Sequence, residues 1–311
     1  MKTIIFDTNW IINKSYHVLL ANNEDFDLSK VESYFPLIRK VFIDLSKILR
    51  NLNLSYQNEV WFSFDYNGSD FRKRIFTEYK GTRIAENSHF YRLIDEVFLL
   101  LQNSGQNVIR LRGVESDDLI AAFCKKRSED EVYIITGDQD LQQLLDKNVF
   151  VVKPFQGKNT IFSHPQYTPS SIIIEDQVVV PTDPKLLLLQ KVLLGDDSDN
   201  IPRIVKKGVG PKTIEKFYQK CLEPQNIPLS LLIENFTKEI NYVVCEDVVE
   251  QQLLLIDLSN SPRIIQESGG EDIFEASFKE VRKVGECDII SKGRSMNFEN
   301  FLKGTKYISN F

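Results

Sequence analysis

Four short apolar, β-branched runs recur in the first half of the chain, and each leads into acid. Residues 3–6 run into Asp7 and residues 60–64 into Asp65; residues 108–111 lead to Glu115, Asp117 and Asp118, and residues 132–136 to Asp138 and Asp140. Runs of this length with little polar alternation predict strands buried on both faces. Helical patterns lie between them. Residues 34–52 place Leu37, Ile38, Val41, Phe42, Leu45, Ile48 and Leu49 on one stripe, and residues 89–102 carry a similar one. Residues 117–126 open with acids, as a helix N-terminus favours. Strands alternating with helices predict an α/β fold with a mostly parallel sheet, whose ligands bind beyond the carboxyl ends of the strands. All the acidic groups fall at that edge.

Between Tyr66 and Asn87 the periodicity fails. This basic, aromatic stretch is too long for a routine connection and reads as a mobile, substrate-contacting insertion. Residues 149–152 and 160–162 flank a turn and predict a hairpin; from about Pro169 onward helices dominate. The predicted division is a sheet-bearing core over 1–168 with the insertion at 66–90, a helical region over 169–265, and an extension over 266–311 of unassigned role.

The 311 residues are 42% hydrophobic, enough for a large core or two adjoining domains. No run reaches the length of a membrane span, so no membrane partner and a cytoplasmic location are expected. Cys124, Cys221, Cys245 and Cys287 lie far apart, which argues against a zinc site or a disulfide framework. His17, His89 and His164 fall in no motif. The net charge of −6 runs against nucleic-acid binding, but the cations are clustered. Arg72, Lys73, Arg74, Lys80 and Arg83 form one group, and Arg203, Lys206, Lys207, Lys212, Lys216 and Lys220 another.

Carboxylates crowded together repel: two charges about 4 Å apart at an effective dielectric near 20 cost about 4 kcal/mol. Assembling this many requires protons or cations, and oxygen-only ligands point to hard ions such as Mg²⁺ or Mn²⁺. Two such ions can activate water and stabilise the leaving oxygen of a phosphodiester. A lone acid after a strand is usually a turn residue or cap; the joint pattern carries the weight. A further cluster, Gly195-Asp196-Asp197-Ser198-Asp199-Asn200-Ile201-Pro202, lacks the length and terminal Glu of an EF-hand loop. Gly208-Val209-Gly210-Pro211-Lys212-Thr213 lacks P-loop spacing, yet it opens a helix with free backbone N–H groups beside lysines, which suits a DNA phosphate.

Together, Phe64-Asp65 with Phe71-Arg72 and Tyr79-Lys80-Gly81-Thr82-Arg83, Gly113 through Asp118, Thr136 through Asp140, and Gly195-Asp196 through Gly210 resemble the 5′-nuclease (flap endonuclease) family over roughly residues 1–260. That resemblance implies a PIN-like core, an arch and a helix–three-turn–helix DNA-binding region. It implies that Asp7, Asp65, Glu115 and Asp117 serve one metal and Asp138, Asp140, Asp196 and Asp199 a second. Lys80 would contact the scissile phosphate with Arg83 as its basic neighbour, Asp118 matches a further catalytic-site acid of the family, and Tyr79 would stack near the site. Arg72, Lys73, Arg74, Lys206, Lys207, Gly208, Val209, Gly210, Lys212, Thr213 and Lys216 would hold DNA, with K⁺ at the glycine turn. The implied substrates are DNA with 5′ flaps, nicks or free 5′ ends and RNA–DNA hybrids, acted on by a monomer. Docking of a replication protein is an expectation for the extension. Asp7 is followed by Thr-Asn-Trp, where many relatives carry smaller residues. A PIN-type ribonuclease would lack the Gly208 turn and second basic cluster, and a non-catalytic DNA binder would have lost several acids.

Overall fold

The computed structural model describes residues 2–22, 26–29, 33–51, 58–83, 88–155, 158–167 and 177–282. Strands β1 (Lys2–Asp7), β2 (Glu59–Phe64), β3 (Asn107–Arg110), β4 (Glu131–Ile135), β5 (Val149–Phe155), β6 (Lys158–Ser163) and β7 (Gln177–Pro181) form one sheet in the order β3-β2-β1-β4-β5-β6-β7. The five from β3 to β5 are parallel; β6 runs antiparallel to β5, and β7 is parallel to β6. The hairpin is therefore β5–β6. The seventh strand lies within the stretch expected to be helical from about Pro169; residues 168–176 lie outside the described residues, and among the described ones the helices of this stretch begin at Pro184.

Successive strand residues point to opposite faces, and here both faces are buried. Phe6, Phe62, Phe64 and Tyr133 pack under α1 (Thr8–Asn22), α2 (Tyr34–Asn51) and α4 (Ser88–Asn103). Ile5, Trp61, Val132 and Ile134 meet Ile120 and Phe123 of α5 (Ser116–Lys126) on the other face. From β1 the chain winds outward through β2 and β3, then returns to lay β4 and β5 on the opposite side. The crevice at this reversal lies between the ends of β1 and β4, where α/β sheets place ligands.

The insertion after β2 is not free-standing where it is described. Ser69 caps α3 (Asp70–Ile75), its side chain accepting from the Arg72 N–H, and Phe71, Arg72 and Tyr79 are buried against the body. This corrects the reading of residues 66–83 as mobile; residues 84–87 of the expected arch lie outside the described residues. Helices α6 (Pro184–Leu194), α7 (Pro211–Lys220), α8 (Leu229–Glu239) and α9 (Glu246–Ile256) share a second core with Tyr79, built on Leu189, Leu193, Ile214, Phe217 and Phe236. The described part of the extension packs on the first body. After α10 (Ser261–Glu267) and α11 (Glu271–Ala276), Phe278 stacks near Trp61 and Phe123, and Arg282 exchanges backbone hydrogen bonds with the Asn107 side chain. Residues 283–311, where docking was expected, lie outside the described residues.

Candidate active site

Strand ends deliver the first group of acids. Asp7 closes β1, buried, its carboxylate accepting from the Thr136 hydroxyl (2.8 Å) and the Trp10 N–H (3.2 Å). The same Thr136 oxygen accepts from the Asp138 N–H (3.0 Å), tying the ends of β1 and β4 together. Asp65, just past β2, accepts from the Ser116 N–H (2.6 Å), while its own N–H donates to Asn9 (3.1 Å). Asp117 lies in the first turn of α5. Burial, then Asp65 and Asp138, pushes Asp7 up to about 7. Burial, then Asp138, Asp7 and Asp65, holds Asp117 well above the usual carboxylate range, and burial with Glu115 raises Asp65. Asp138 thus belongs electrostatically with Asp7 and Asp117 as well as with Asp140.

Cations accompany the second group. Lys191 of α6 bridges Asp140 and Asp196 (2.7 Å to the latter). Burial and Asp138 raise Asp140 to about 6 despite that lysine. For Asp196 the Lys191 and Ser198 hydrogen bonds outweigh burial and hold it at about 2. Asp199 accepts from the Tyr79 hydroxyl (3.0 Å) and pairs with Arg83; Lys80 Nζ stands 3.8 Å away. Gly195, at φ +73, ends α6 where a Cβ would stand 2.3 Å from the Ile201 carbonyl oxygen, so only glycine turns the chain into this loop.

Glu115 occupies a cage of donors: Lys80 Nζ at 2.6 Å, the Tyr79 hydroxyl at 2.9 Å and Arg72 at 3.0 Å. Against its burial, Lys80 and Arg72 hold this carboxyl at about 2. Three expectations are corrected here. Arg72 is 3% exposed and bound to Glu115, Asp118 and the Leu255 carbonyl, so it faces no phosphate. Asp118 is fully buried between Arg72 and the Ser261 hydroxyl, which leaves it no exposed face toward a substrate. Tyr79 is 4% exposed with its ring in the helical core, which leaves no face for stacking on a base. Each side chain is drawn inward because a buried charge needs a partner.

Among the described residues, no three His, Cys, Asp or Glu side chains stand close enough together to enclose an ion. The fit to a metal is in donor chemistry and charge. Oxygen-only donors converge from separate elements, and none of Asp7, Asp65, Asp117 and Asp138 has an ion-pair partner among the described residues, a combination that suits hard divalent cations. Reading by residue type missed Lys191, Thr136 and Asn9. The only signal for Lys191 was a lysine beside Gln190 inside the otherwise apolar run 186–194.

The expected DNA contacts are mixed. Lys207, Lys212, Thr213 and Lys216 are exposed on the loop and first turns of α7. Gly208 (φ +92) and Gly210 are open, and a Cβ on either would meet nothing within 4 Å. The side chain of Val209 is buried, so only its backbone is offered, and Lys206 is tethered to the Ile240 carbonyl (2.8 Å). Lys73 is exposed; Arg74 is exposed but pairs with Glu267 (3.2 Å).

A mostly parallel sheet with acids at its carboxyl edge, joined to a helical region whose α6–α7 connection supplies further acids, defines a PIN-like nuclease. The family model described as 5′-3′ exonuclease, N-terminal resolvase-like domain, matches residues 2–173, and the chain belongs to that family of 5′-nucleases. It is 28% identical over 255 residues to a 5′-3′ exonuclease of Mycoplasmopsis pulmonis, covering 82% of this chain and 78% of that one. It is 30% identical over 224 residues to DNA polymerase I of Caldicellulosiruptor bescii, covering 71% of this chain but 24% of the polymerase. The bacteriophage T5 flap endonuclease, solved with DNA and metal ions, shares the fold at TM-score 0.57 and 19% identity, over 94% of this chain and 100% of that one.

Proposed function

We propose that this 5′-nuclease is metal-dependent and structure-specific. It would hydrolyse phosphodiesters of DNA at 5′ flaps, nicks and free 5′ ends, and of RNA–DNA hybrids, leaving a 5′-phosphate and a 3′-hydroxyl. The observation that carries this reading is the strained acidic edge, where Asp7 is pushed up to about 7 beside Asp65, Asp117 and Asp138. Carboxylates held so far from ionisation are a site that a divalent cation relieves. Mg²⁺, with Mn²⁺ as substitute, would be held by Asp7, Asp65, Glu115 and Asp117 on one side and by Asp138, Asp140, Asp196 and Asp199 on the other. When bound, such ions supply an activated water and neutralise charge on the phosphate.

The chain's own residues do the positioning. Lys80, whose backbone N–H is fixed on the Asp199 carbonyl (2.8 Å), and the half-exposed Arg83 present cations beside both acid groups. They would stabilise charge building on the scissile phosphate. Glu115 anchors Lys80 at the cluster. Lys207, Lys212, Lys216 and the Gly208–Gly210 backbone would grip the duplex without reading its sequence. The relative from phage T5 was crystallised with DNA and metal ions, which supports both substrate class and cofactor. The division at residues 168 and 265, K⁺ at the glycine turn, a monomeric cytoplasmic protein and docking through the extension belong to this reading on the sequence resemblance.

The test is cleavage of a 5′-labelled flap duplex, a nicked duplex and an RNA–DNA hybrid, with Mg²⁺ or with EDTA. Asp138→Asn, at an exposed position, should abolish Mg²⁺-dependent release while the circular dichroism stays native. Unchanged cleavage in EDTA, or loss of activity only through unfolding, would count against the proposal.

A further inference from the structure

We infer that Arg72 is a positioning residue: its guanidinium sets the Glu115 carboxylate in place for cleavage and makes that placement depend on the seating of α9. The inference rests on the metal-dependent reading above. Arg72 lies in α3, yet its donors reach other elements. Nε donates to the Leu255 carbonyl (2.8 Å) in the last turn of α9. One terminal nitrogen donates to Glu115 (3.0 Å) and Asp118 (2.5 Å), the other to Asp118 (2.9 Å). Asp118 is held from behind by the Ser261 hydroxyl of α10 (2.9 Å).

Neutrality alone does not require this arrangement. Asp118 grips the guanidinium with both oxygens and balances its charge, as Lys80 balances Glu115. The bond between Arg72 and Glu115 is additional, and its effect is directional. Glu115 is the N-cap of α5 but makes no side-chain cap hydrogen bond, so nothing on its own helix fixes where its carboxylate lies. Instead it points to Arg72, Tyr79 and Lys80. Its outward orientation, and with it the placement of Lys80, is therefore imposed by partners on other elements. The Leu255 carbonyl is one of the groups that a helix C-terminus leaves unsatisfied. Arg72 caps it, so the end of α9, which packs with α6 in the helical core, is fastened to the same cation.

A buried cation with only a structural role would give a different mutational pattern. Arg72→Met alone strands the buried Asp118 carboxylate, whose cation it removes, and should lower Tm sharply. Arg72→Met with Asp118→Leu removes both partners of the tightest pair and should return Tm to near wild type. If Arg72 positions Glu115, this double variant still loses kcat by about 10- to 100-fold, the range for partners that orient a ligand. Its KM for flap DNA stays near the wild-type value, and its Mn²⁺ affinity, read by electron paramagnetic resonance of the free ion, falls in parallel. Recovery of kcat and Mn²⁺ affinity together with Tm would overturn the inference. So would a rise in KM at unchanged kcat, which would place Arg72 in DNA grip through α9 alone. Should the double variant not fold, Arg72→Lys keeps the charge but cannot span three acceptors, and the same readouts decide. A wild type that neither cleaves nor binds Mn²⁺ would instead overturn the metal-dependent reading itself.

Discussion

Asp7 carries the most informative charge in the molecule. Its carboxyl is raised from 3.8 to about 7, first by burial and then by Asp65 and Asp138. A folded-state pKa above the unfolded value means that the native protein holds the extra proton between those limits, so stability falls as pH rises from 3.8 through 7. Asp117 and Asp140, also raised, act in the same direction. Glu115 and Asp196, both held at about 2, act oppositely: their contribution is complete above the ordinary carboxylate range and is lost as pH falls toward 2. In EDTA the Tm should therefore be lower at pH 8 than at pH 6. A divalent ion, which binds the ionised form, should cancel or invert that difference, with affinity that weakens as pH drops through 7. Differential scanning calorimetry at the two pH values, with and without Mg²⁺, checks this. A metal-free Tm that rises from pH 6 to pH 8 would show that the acids are not strained.

At the level of elements, α1 is pinned to the turn after β4 by one close approach. A Cβ on Gly137 would fall 2.2 Å from the Trp10 indole nitrogen, and the Trp10 N–H is itself bonded to Asp7. Gly137→Ala should push the first turn of α1 away, disturb both Asp7 and Asp138, and cut kcat by about tenfold, as small misplacements near reacting groups do. Trp10→Leu in the same chain should restore part of the loss, and steady-state cleavage by the single and double variants measures it. Elements set in one environment were legible beforehand. The strands β1, β2 and β4 are apolar on both faces, and α2 and α4 carry clean stripes, so length and period identify them. Helix α1 did not announce itself, because its buried face is Thr8, Ile11, Ile12 and Ser15, half of it hydroxyls. Strand β7 is short and leaves Val178 57% exposed at the sheet edge. The acids were legible because strand ends decide where a carboxylate goes. Arg72 and Tyr79 were misjudged because residue type does not distinguish a cation or phenol buried on a carboxylate from one facing a ligand.

For the whole molecule, the question is how a chain of net charge −6 holds a polyanion. The charges are segregated. The acids gather at the carboxyl edge of the sheet, several of them already paired with Lys80, Arg83 and Lys191, or only partly ionised. Lys207, Lys212 and Lys216 are exposed on the glycine turn and α7, with no ion-pair partner among the described residues. DNA responds to this local field because salt screens charge beyond about 8–10 Å. Each lysine that neutralises a phosphate releases counterions and adds about 0.9 to the slope of log K against log salt. Replacing the three by Ala, one at a time and then together, should lower that slope stepwise, by about 0.9 for each phosphate no longer neutralised. Affinity should fall equally for duplexes of unrelated sequence. Fluorescence-anisotropy titrations over a range of KCl concentrations, in EDTA so that nothing is cut, give the slope directly. A triple variant with an unchanged slope would move the duplex off α7. A loss confined to one sequence would mean that these lysines read bases, which a backbone-gripping turn has no means to do.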